Sequence, residues 1–107
     1  MFQVFGFYKF IKIKSLIKNK DFLQTYLIKN NVRGTIIIST EGINGSISGS
    51  IKDINKTIIK IKSLFSFKYF DNSNNSKSKF QPFHKPKIKI KKEIVPMNML
   101  LNSEDRN

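Results

Sequence analysis

The chain has 107 residues, with twenty Lys plus Arg against seven Asp plus Glu and a formal net charge of +13. A chain of this length forms one small domain, since a single hydrophobic core usually spans roughly 100 to 150 residues. The absence of Cys excludes a disulfide framework, a thiol nucleophile and a zinc site with thiolate ligands, and favours a cytoplasmic or other reducing compartment. No uncharged stretch approaches the ~20 residues needed to cross a bilayer, so a soluble protein is predicted.

The positive charge comes from eighteen Lys and two Arg. Lys, Ile and Asn are all encoded by A/T-rich codons, so part of the excess can reflect codon usage. A field of this sign on so small a body nevertheless attracts nucleic acid, anionic lipid or acidic proteins. The composition therefore predicts a polyanionic partner.

The first third of the chain predicts a strand followed by a helix. Aromatic and β-branched residues dominate positions 4–13, which is typical of a strand. Ser15 fits a helix N-cap, and leucines then recur on one helical face. Asn30 and Asn31 can adopt the left-handed conformation that ends a helix.

A β-hairpin is predicted next. Residues 34–39 form a β-branched run that indicates a buried strand. Residues 40–45 are turn formers, and residues 46–49 alternate as a return strand should.

A second helix follows the hairpin. Ser50 and Asp53 form an S-x-x-D capping pattern. Apolar residues then repeat with the helical period for four turns, and they are Ile51, Ile54, Ile58, Ile61 and Phe65. The prediction is a helix with one core-facing stripe.

The last third predicts two more strands. Residues 67–70 read as a short strand, and the polar residues 71–79 as an exposed loop. Pro82 and Pro86 favour extended backbone. The alternation over residues 87–95 predicts a strand with Ile88, Ile90 and Ile94 on one face and Lys87, Lys89, Lys91 and Glu93 on the other.

This order of elements predicts a ferredoxin-like α+β sandwich, the split βαβ plan. The expected architecture is an antiparallel sheet with two helices on one face and an extra C-terminal strand. Right-handed crossovers put both helices on that face and leave the other face open or covered by a partner. Residues 1–97 are predicted to form the domain and residues 98–107 a polar tail.

Two ordered blocks of residues resemble a known family. The first comprises Gly34 to Ile38, then the run Glu41-Gly42-Ile43-Asn44-Gly45-Ser46 and Ser48-Gly49-Ser50. The second comprises Pro82-Phe83 and, after a spacer, residues 87–95, which end in K-K-E-I-V. These blocks resemble the N-terminal, acylphosphatase-like domain of the rhodanese-related tRNA uridine hydroxylases, which convert the wobble uridine of tRNA to 5-hydroxyuridine.

The resemblance implies a role in tRNA modification but not the chemistry itself. In that family a rhodanese domain with the presumed catalytic cysteine follows this domain, so residues 98–107 would begin a linker to it. The absence of a rhodanese domain from this sequence is consistent with a fragment, with a split or truncated gene, or with a stand-alone accessory domain. The implied partners are tRNA and a rhodanese domain of the same or a separate chain, with no membrane, metal or cofactor.

The basic run near the end of the sequence is the main candidate RNA-binding site. Its members are Lys85, Lys87, Lys89, Lys91 and Lys92, with Lys77 and Lys79 before them. The alternative is a solvated strand whose lysines protect an edge from aggregation. We expect phosphate contact, which positions RNA without reading its sequence. Glu93 is expected to pair with a neighbouring lysine and to organise the run.

The glycine-rich turn is a second candidate site. Glu41, Gly42, Asn44 and Gly45 either bring N–H groups close to an anion or simply supply the conformations that a tight hairpin needs. The structural alternative is favoured.

The remaining candidates are weaker. Four aromatic residues, Tyr8, Phe10, Tyr69 and Phe70, offer stacking faces for unpaired bases, although such residues are more often core. His84 has no companion ligands in the sequence, and no triad or carboxylate pair is visible.

The predicted function is therefore tRNA binding and positioning by a domain that is not catalytic by itself. One alternative is a module that docks a rhodanese domain. The other is an acylphosphatase-like phosphohydrolase, which is disfavoured because that activity uses an Arg after the first strand, where this chain has only Lys12 and Lys14.

Overall fold

The structure, a computed structural model, describes residues 1–93. Five strands and two helices follow one another in the predicted α+β order within this range. They are β1 (Phe2–Phe10), α1 (Leu16–Lys29), β2 (Arg33–Ser39), β3 (Gly42–Gly49), α2 (Ile51–Phe65), β4 (Asn72–Ser78) and β5 (Pro86–Ile90).

The strands form one sheet in the order β4-β1-β3-β2-β5. The first four strands pair antiparallel, as the ferredoxin-like plan requires, whereas β5 pairs parallel to β2. The sheet is therefore mixed and not wholly antiparallel. Residues 79–85 cause the difference, because they cross from the β4 edge to the β5 edge and bring the chain back beside the start of β2, where Gly34 is in register with Pro86.

One face of the sheet carries the hydrophobic core. Period-two alternation places Phe5 and Phe7 of β1 on this face, together with isoleucines of the other strands. Both helices pack there, and their buried residues are Leu23, Leu27, Ile54, Thr57 and Ile61. Ile58 is only half-buried and Ile51 is 52% exposed, so the predicted apolar stripe of α2 is narrower in the structure.

The helix ends follow the local sequence in part. Ser50 caps α2 as predicted, because its Oγ accepts a hydrogen bond from the backbone N–H of Asp53 at 3.1 Å. Ser15 precedes α1 as predicted, but it has φ 53° and its side chain makes no capping hydrogen bond. Asn31, the second residue after α1, takes the left-handed conformation, with φ 55°, whereas Asn30 does not.

The prediction for residues 67–79 is wrong. Residues 67–70 are not a strand, and the polar stretch predicted as a loop is strand β4. Its backbone pairs with β1 over seven residues, a contact that needs no apolar side chain. Phe67 and Phe70 instead pack on the core, where the Phe70 ring lies 5.4 Å from that of Phe5 and 5.1 Å from that of Phe67.

Asp71 fixes the entry into β4. Its Oδ2 accepts the backbone N–H of Phe10 at 2.6 Å, and its own N–H donates to the carbonyl of Tyr8 at 3.0 Å. Its carboxylate also lies 3.6 Å from the ammonium group of Lys9. These contacts start the pairing of the polar strand with β1.

Helix α1 protects the outer edge of β5. Gln24 donates from Nε2 to the carbonyl of Pro86 at 3.0 Å, and its Oε1 accepts the N–H of Ile88 at 3.2 Å. One side chain thus satisfies two groups that an edge strand leaves unpaired. The predicted residues Ile94 and Val95 of this strand, the boundary at Met97 and the tail all lie outside the described residues.

Candidate nucleic-acid interface

The face opposite the helices carries polar residues beside apolar ones. Alternate residues of β1, β3 and β4 put Gly6, Tyr8, Ser46, Asn72 and Asn74 on it, and the registers place them side by side. The five strands contain no Asp or Glu anywhere in their sequences. We call this surface the open face, and its strands carry basic but no acidic side chains.

Two of the predicted lysines lie on the open face. Lys87 is in register with Thr35 and Lys89 with Ile37, on the side opposite the buried Ile88. Lys85, just before the strand, accepts the N–H of Gly34 on its carbonyl at 3.2 Å and has an exposed side chain. This part of the basic run lines the β5 edge of the open face.

Arg33 also belongs to the cationic residues of the open face, and the sequence analysis did not identify it. Arg33 begins β2, is in register with Ser48, and lies on the open face with an exposed side chain. The residue after it pairs with the backbone of Lys85. No local motif predicts this neighbourhood, because it depends on the parallel pairing of two strands about fifty residues apart.

The other two predicted lysines lie at an end of the sheet. The chain bends after β5, and Lys91 and Lys92 line a depression of about 360 Å³ together with Leu16, Thr40 and Ile90. The backbone N–H of Lys91 still donates to the carbonyl of Ile38 at 2.9 Å. The predicted basic run is therefore divided between two surfaces that meet along β5.

Lys12 and Lys14 are brought to the same end of the sheet. The N–H groups of Ile11 and Ile13 donate to the carbonyls of Glu41 and Thr40, at 2.9 and 3.2 Å. The segment that follows β1 therefore runs beside the β2–β3 turn, and both lysines on it are exposed.

These lysines are not neutralised within the described residues. The one salt bridge between residues 1 and 93 joins Lys9 to Asp71, so no lysine of the basic run is ion-paired there. The expected pairing of Glu93 with a neighbouring lysine is likewise absent from this range. Lysines elsewhere do have partners, since Lys60 and Lys62 of α2 and Lys9 of β1 lie over aromatic rings at 5.5 to 6.0 Å.

The residues of the glycine-rich candidate lie mostly in a strand. The hairpin turn is only Thr40-Glu41, so the predicted return strand begins earlier, at Gly42. The N–H of Glu41 donates to Ser39 Oγ at 2.9 Å. Asn44 and Gly45 lie within β3, between β1 and β2, where backbone amides serve the ladders on both sides.

Close packing accounts for both glycines. A Cβ at Gly42 would lie 2.2 Å from the carbonyl oxygen of Lys9, and one at Gly45 would lie 2.7 Å from the ring of Phe7. Gly45 thus faces the core and makes room for an aromatic ring. Asn44, 1% exposed, lies on the opposite side of the strand.

The crossing segment, residues 79–85, covers part of the open face. Gln81 accepts a hydrogen bond from the hydroxyl of Ser48 through its side-chain oxygen. Phe83 lies over β2 and β3 and walls a depression of about 270 Å³ with Thr35, Ile37 and Ser46. His84, in the same segment, is exposed, and in the described range no three His, Asp or Glu side chains converge on a possible metal site.

A second depression, of about 140 Å³, lies beside the first. Its lining includes Gly6, Tyr8, Ser46, Asn72 and Asn74, so the two depressions meet at Ser46. Across residues 1–93, neither helix has the length and apolarity of a membrane span.

Comparison with known proteins places this domain in a family. Residues 2–94 match the UPF0176 acylphosphatase-like domain. The chain is 63% identical over 106 residues to the tRNA uridine(34) hydroxylase of Pelagibacter ubique (strain HTCC1062). That alignment covers 99% of this chain but only 35% of the relative, so the chain spans about a third of the relative's length.

Solved structures agree on the fold. An acylphosphatase from Bacillus subtilis is 12% identical with a TM-score of 0.57, and the match covers 85% of this chain and all of that one. Klebsiella pneumoniae BlrP1 is 10% identical with a TM-score of 0.64, covering 99% of this chain and 28% of that one. At such identities the likeness concerns architecture, and it confirms the predicted ferredoxin-like plan.

Proposed function

The chain belongs to the UPF0176 acylphosphatase-like domain family, and we propose that it is the tRNA-binding N-terminal part of a tRNA uridine hydroxylase. The relative that is 63% identical carries that name, and it extends well beyond the region that this chain covers. In this proposal the chain holds tRNA and a further domain, of the rhodanese type, performs the hydroxylation. A cytoplasmic location, where tRNA is modified, belongs to the same proposal.

One observation carries the RNA-binding role. Arg33, Lys87 and Lys89 lie on one acid-free face of the sheet and form no salt bridge within residues 1–93. Unpaired cations on a common surface can each take a phosphate and release its counterions. Lys91 and Lys92, with Lys12 and Lys14 nearby, extend this positive surface around the end of the sheet.

The acylphosphatase-like alternative has less support. The segment after β1 contains no Arg, and the amides of Ile11 and Ile13 are already bonded to turn carbonyls. A phosphoryl group would therefore find neither a bidentate guanidinium nor those two N–H donors there. The chain is expected to show no acyl-phosphate hydrolysis above a buffer blank.

The proposal is tested by the salt dependence of tRNA binding to the whole chain. The variant with Arg33, Lys87 and Lys89 all changed to Gln should reduce the slope of log K against log salt by about two, at roughly 0.7 per phosphate contact on single-stranded RNA. The matched control replaces Lys18, Lys20 and Lys29 of α1, which removes the same charge from the helical side.

The two triple variants distinguish RNA binding at the open face from attraction of RNA by the net positive charge of the whole chain. The control should change the slope by clearly less than the open-face variant does. Equal changes would mean that the net charge alone attracts tRNA, and the located interface would then be rejected.

A further inference from the structure

The depression at Gly6 has the chemistry of a nucleobase site. One wall is the ring of Tyr8, whose neighbour Phe10 meets it edge-to-face at 5.7 Å and is 49% exposed. The lining also includes Ser46, Asn72 and Asn74, whose side chains are polar. Unpaired RNA bases are recognised by this combination, with stacking on an aromatic face and hydrogen bonds to their polar edges.

The polar groups are available for a ligand. Within residues 1–93, no hydrogen bond engages the side-chain amides of Asn72 or Asn74, or the hydroxyl of Tyr8. Each amide offers both donors and an acceptor, which suits the mixed edge of a base.

Gly6 is the reason that the depression exists. It lies in the middle of β1, paired on both sides, where glycine is usually unfavourable by about 0.5–1 kcal/mol relative to alanine. Its φ is not positive, and a Cβ would meet only the movable amide of Asn74, at 3.2 Å from Oδ1. Neither backbone conformation nor the core therefore demands glycine here, and such a glycine often marks the close approach of a ligand.

The surrounding charge favours a nucleotide over a neutral ligand. Across the sheet from Gly6 the residues in register are Ser46, Thr35 and Lys87. Three strand spacings of about 4.8 Å separate Gly6 from Lys87, or about 14 Å. A short single strand with a base at Tyr8 and its phosphates towards the β5 edge would pass over Ser46 and Thr35, along the depression that Phe83 of the crossing segment walls.

We propose that the Gly6 depression binds one unpaired nucleobase of an RNA strand whose phosphates contact Arg33, Lys87 and Lys89. The base stacks on Tyr8, and the amides of Asn72 and Asn74 bind its edge. This inference rests on the proposed RNA-binding function and adds a base-binding site to it.

The test measures binding of a fluorescent eight-nucleotide oligouridylate to the whole chain. Tyr8→Leu removes the ring, and Gly6→Val fills the depression with a residue that suits strands. Each should weaken binding about five- to a hundredfold while the salt slope stays the same, because stacking is lost and the phosphate contacts remain. Tyr8→Phe, which keeps the ring, should bind within about threefold of wild type.

Two controls keep the result interpretable. Tyr69→Leu removes an aromatic ring that is 78% exposed and lies outside the sheet, so it should not change binding. Gly6→Ala introduces a smaller side chain and should weaken binding less than Gly6→Val, and thermal unfolding of every variant identifies any that has lost its fold.

Failure of this inference is distinguishable from failure of the proposed function. If the wild-type chain binds neither the oligouridylate nor tRNA, the RNA-binding function itself is rejected. If wild type binds with its full salt slope and both Tyr8→Leu and Gly6→Val bind equally well, only the base site is rejected. If Tyr8→Leu and Gly6→Val keep RNA binding but lose binding to a separately produced rhodanese domain, the base site is also rejected. This face would then be a protein-docking surface.

Discussion

The two faces of the sheet share one backbone but differ in the burial and polarity of their side chains. On the helix side, Phe5, Phe7, Ile36 and Ile38 are at most 4% exposed and pack beneath α1 and α2. On the open face, Asn and Ser side chains lie near Tyr8, and Lys and Arg side chains without a salt bridge lie along the β5 side. The apolar core thus lies on one face, whereas the exposed groups of the other face can bind a ligand while contributing little to stability.

The largest contrast is expected from deleting isoleucine side chains of α2. Ile61 is fully buried, so Ile61→Ala should lower the free energy of unfolding by about 2–5 kcal/mol. Ile59, on the same helix and 68% exposed, is the matched control and should change it by no more than about 0.5 kcal/mol. Denaturant unfolding measures both, and equal losses would show that the core face is misassigned.

An identical substitution on both faces sharpens the comparison further. Gly45→Ala places a Cβ 2.7 Å from the ring of Phe7 and 3.1 Å from Ile36, so overpacking should cost about 1–3 kcal/mol. Gly6→Ala meets only the side chain of Asn74 and should be neutral or slightly stabilising. Thermal unfolding of the two variants checks this, and a larger loss at Gly6 would contradict it.

The smallest expected effect concerns the acid next to the basic run. Because Glu93 forms no salt bridge within the described range, it repels phosphate without organising a lysine. Glu93→Gln should therefore tighten tRNA binding by roughly two- to fivefold at low salt, and the gain should vanish as salt is raised. Weaker binding by this variant would restore the organising role predicted from the sequence.

Hydrophobic periodicity predicted the elements that build the core. Both helices and strand β2 lie close to their predicted bounds, and Ile88 is buried as the alternation in β5 requires. Strand β4 escaped prediction because its residues are Asn, Ser and Lys, and it is held by backbone pairing and by Asp71. Polar edge strands carry no apolar pattern for sequence reasoning to detect.

The candidate site was only partly predictable for a related reason. The lysines of the basic run are visible as a cluster in sequence, but the bend after β5 sends Lys91 and Lys92 away from Lys87 and Lys89. The inclusion of Arg33 follows from strand pairing over long sequence separation. The Gly6 depression likewise needs three strands in register before it exists.

The most direct test of the account is to map where RNA touches the molecule. In a titration of the isotope-labelled chain with a short single-stranded RNA, we predict changes in the amide chemical shifts of Gly6, Ser46, Thr35 and Lys87. Residues of the helical side, such as Asp21 and Asn55, should stay unperturbed. Changes concentrated on α1 and α2, or spread evenly over all lysines, would contradict the assignment of RNA binding to the open face.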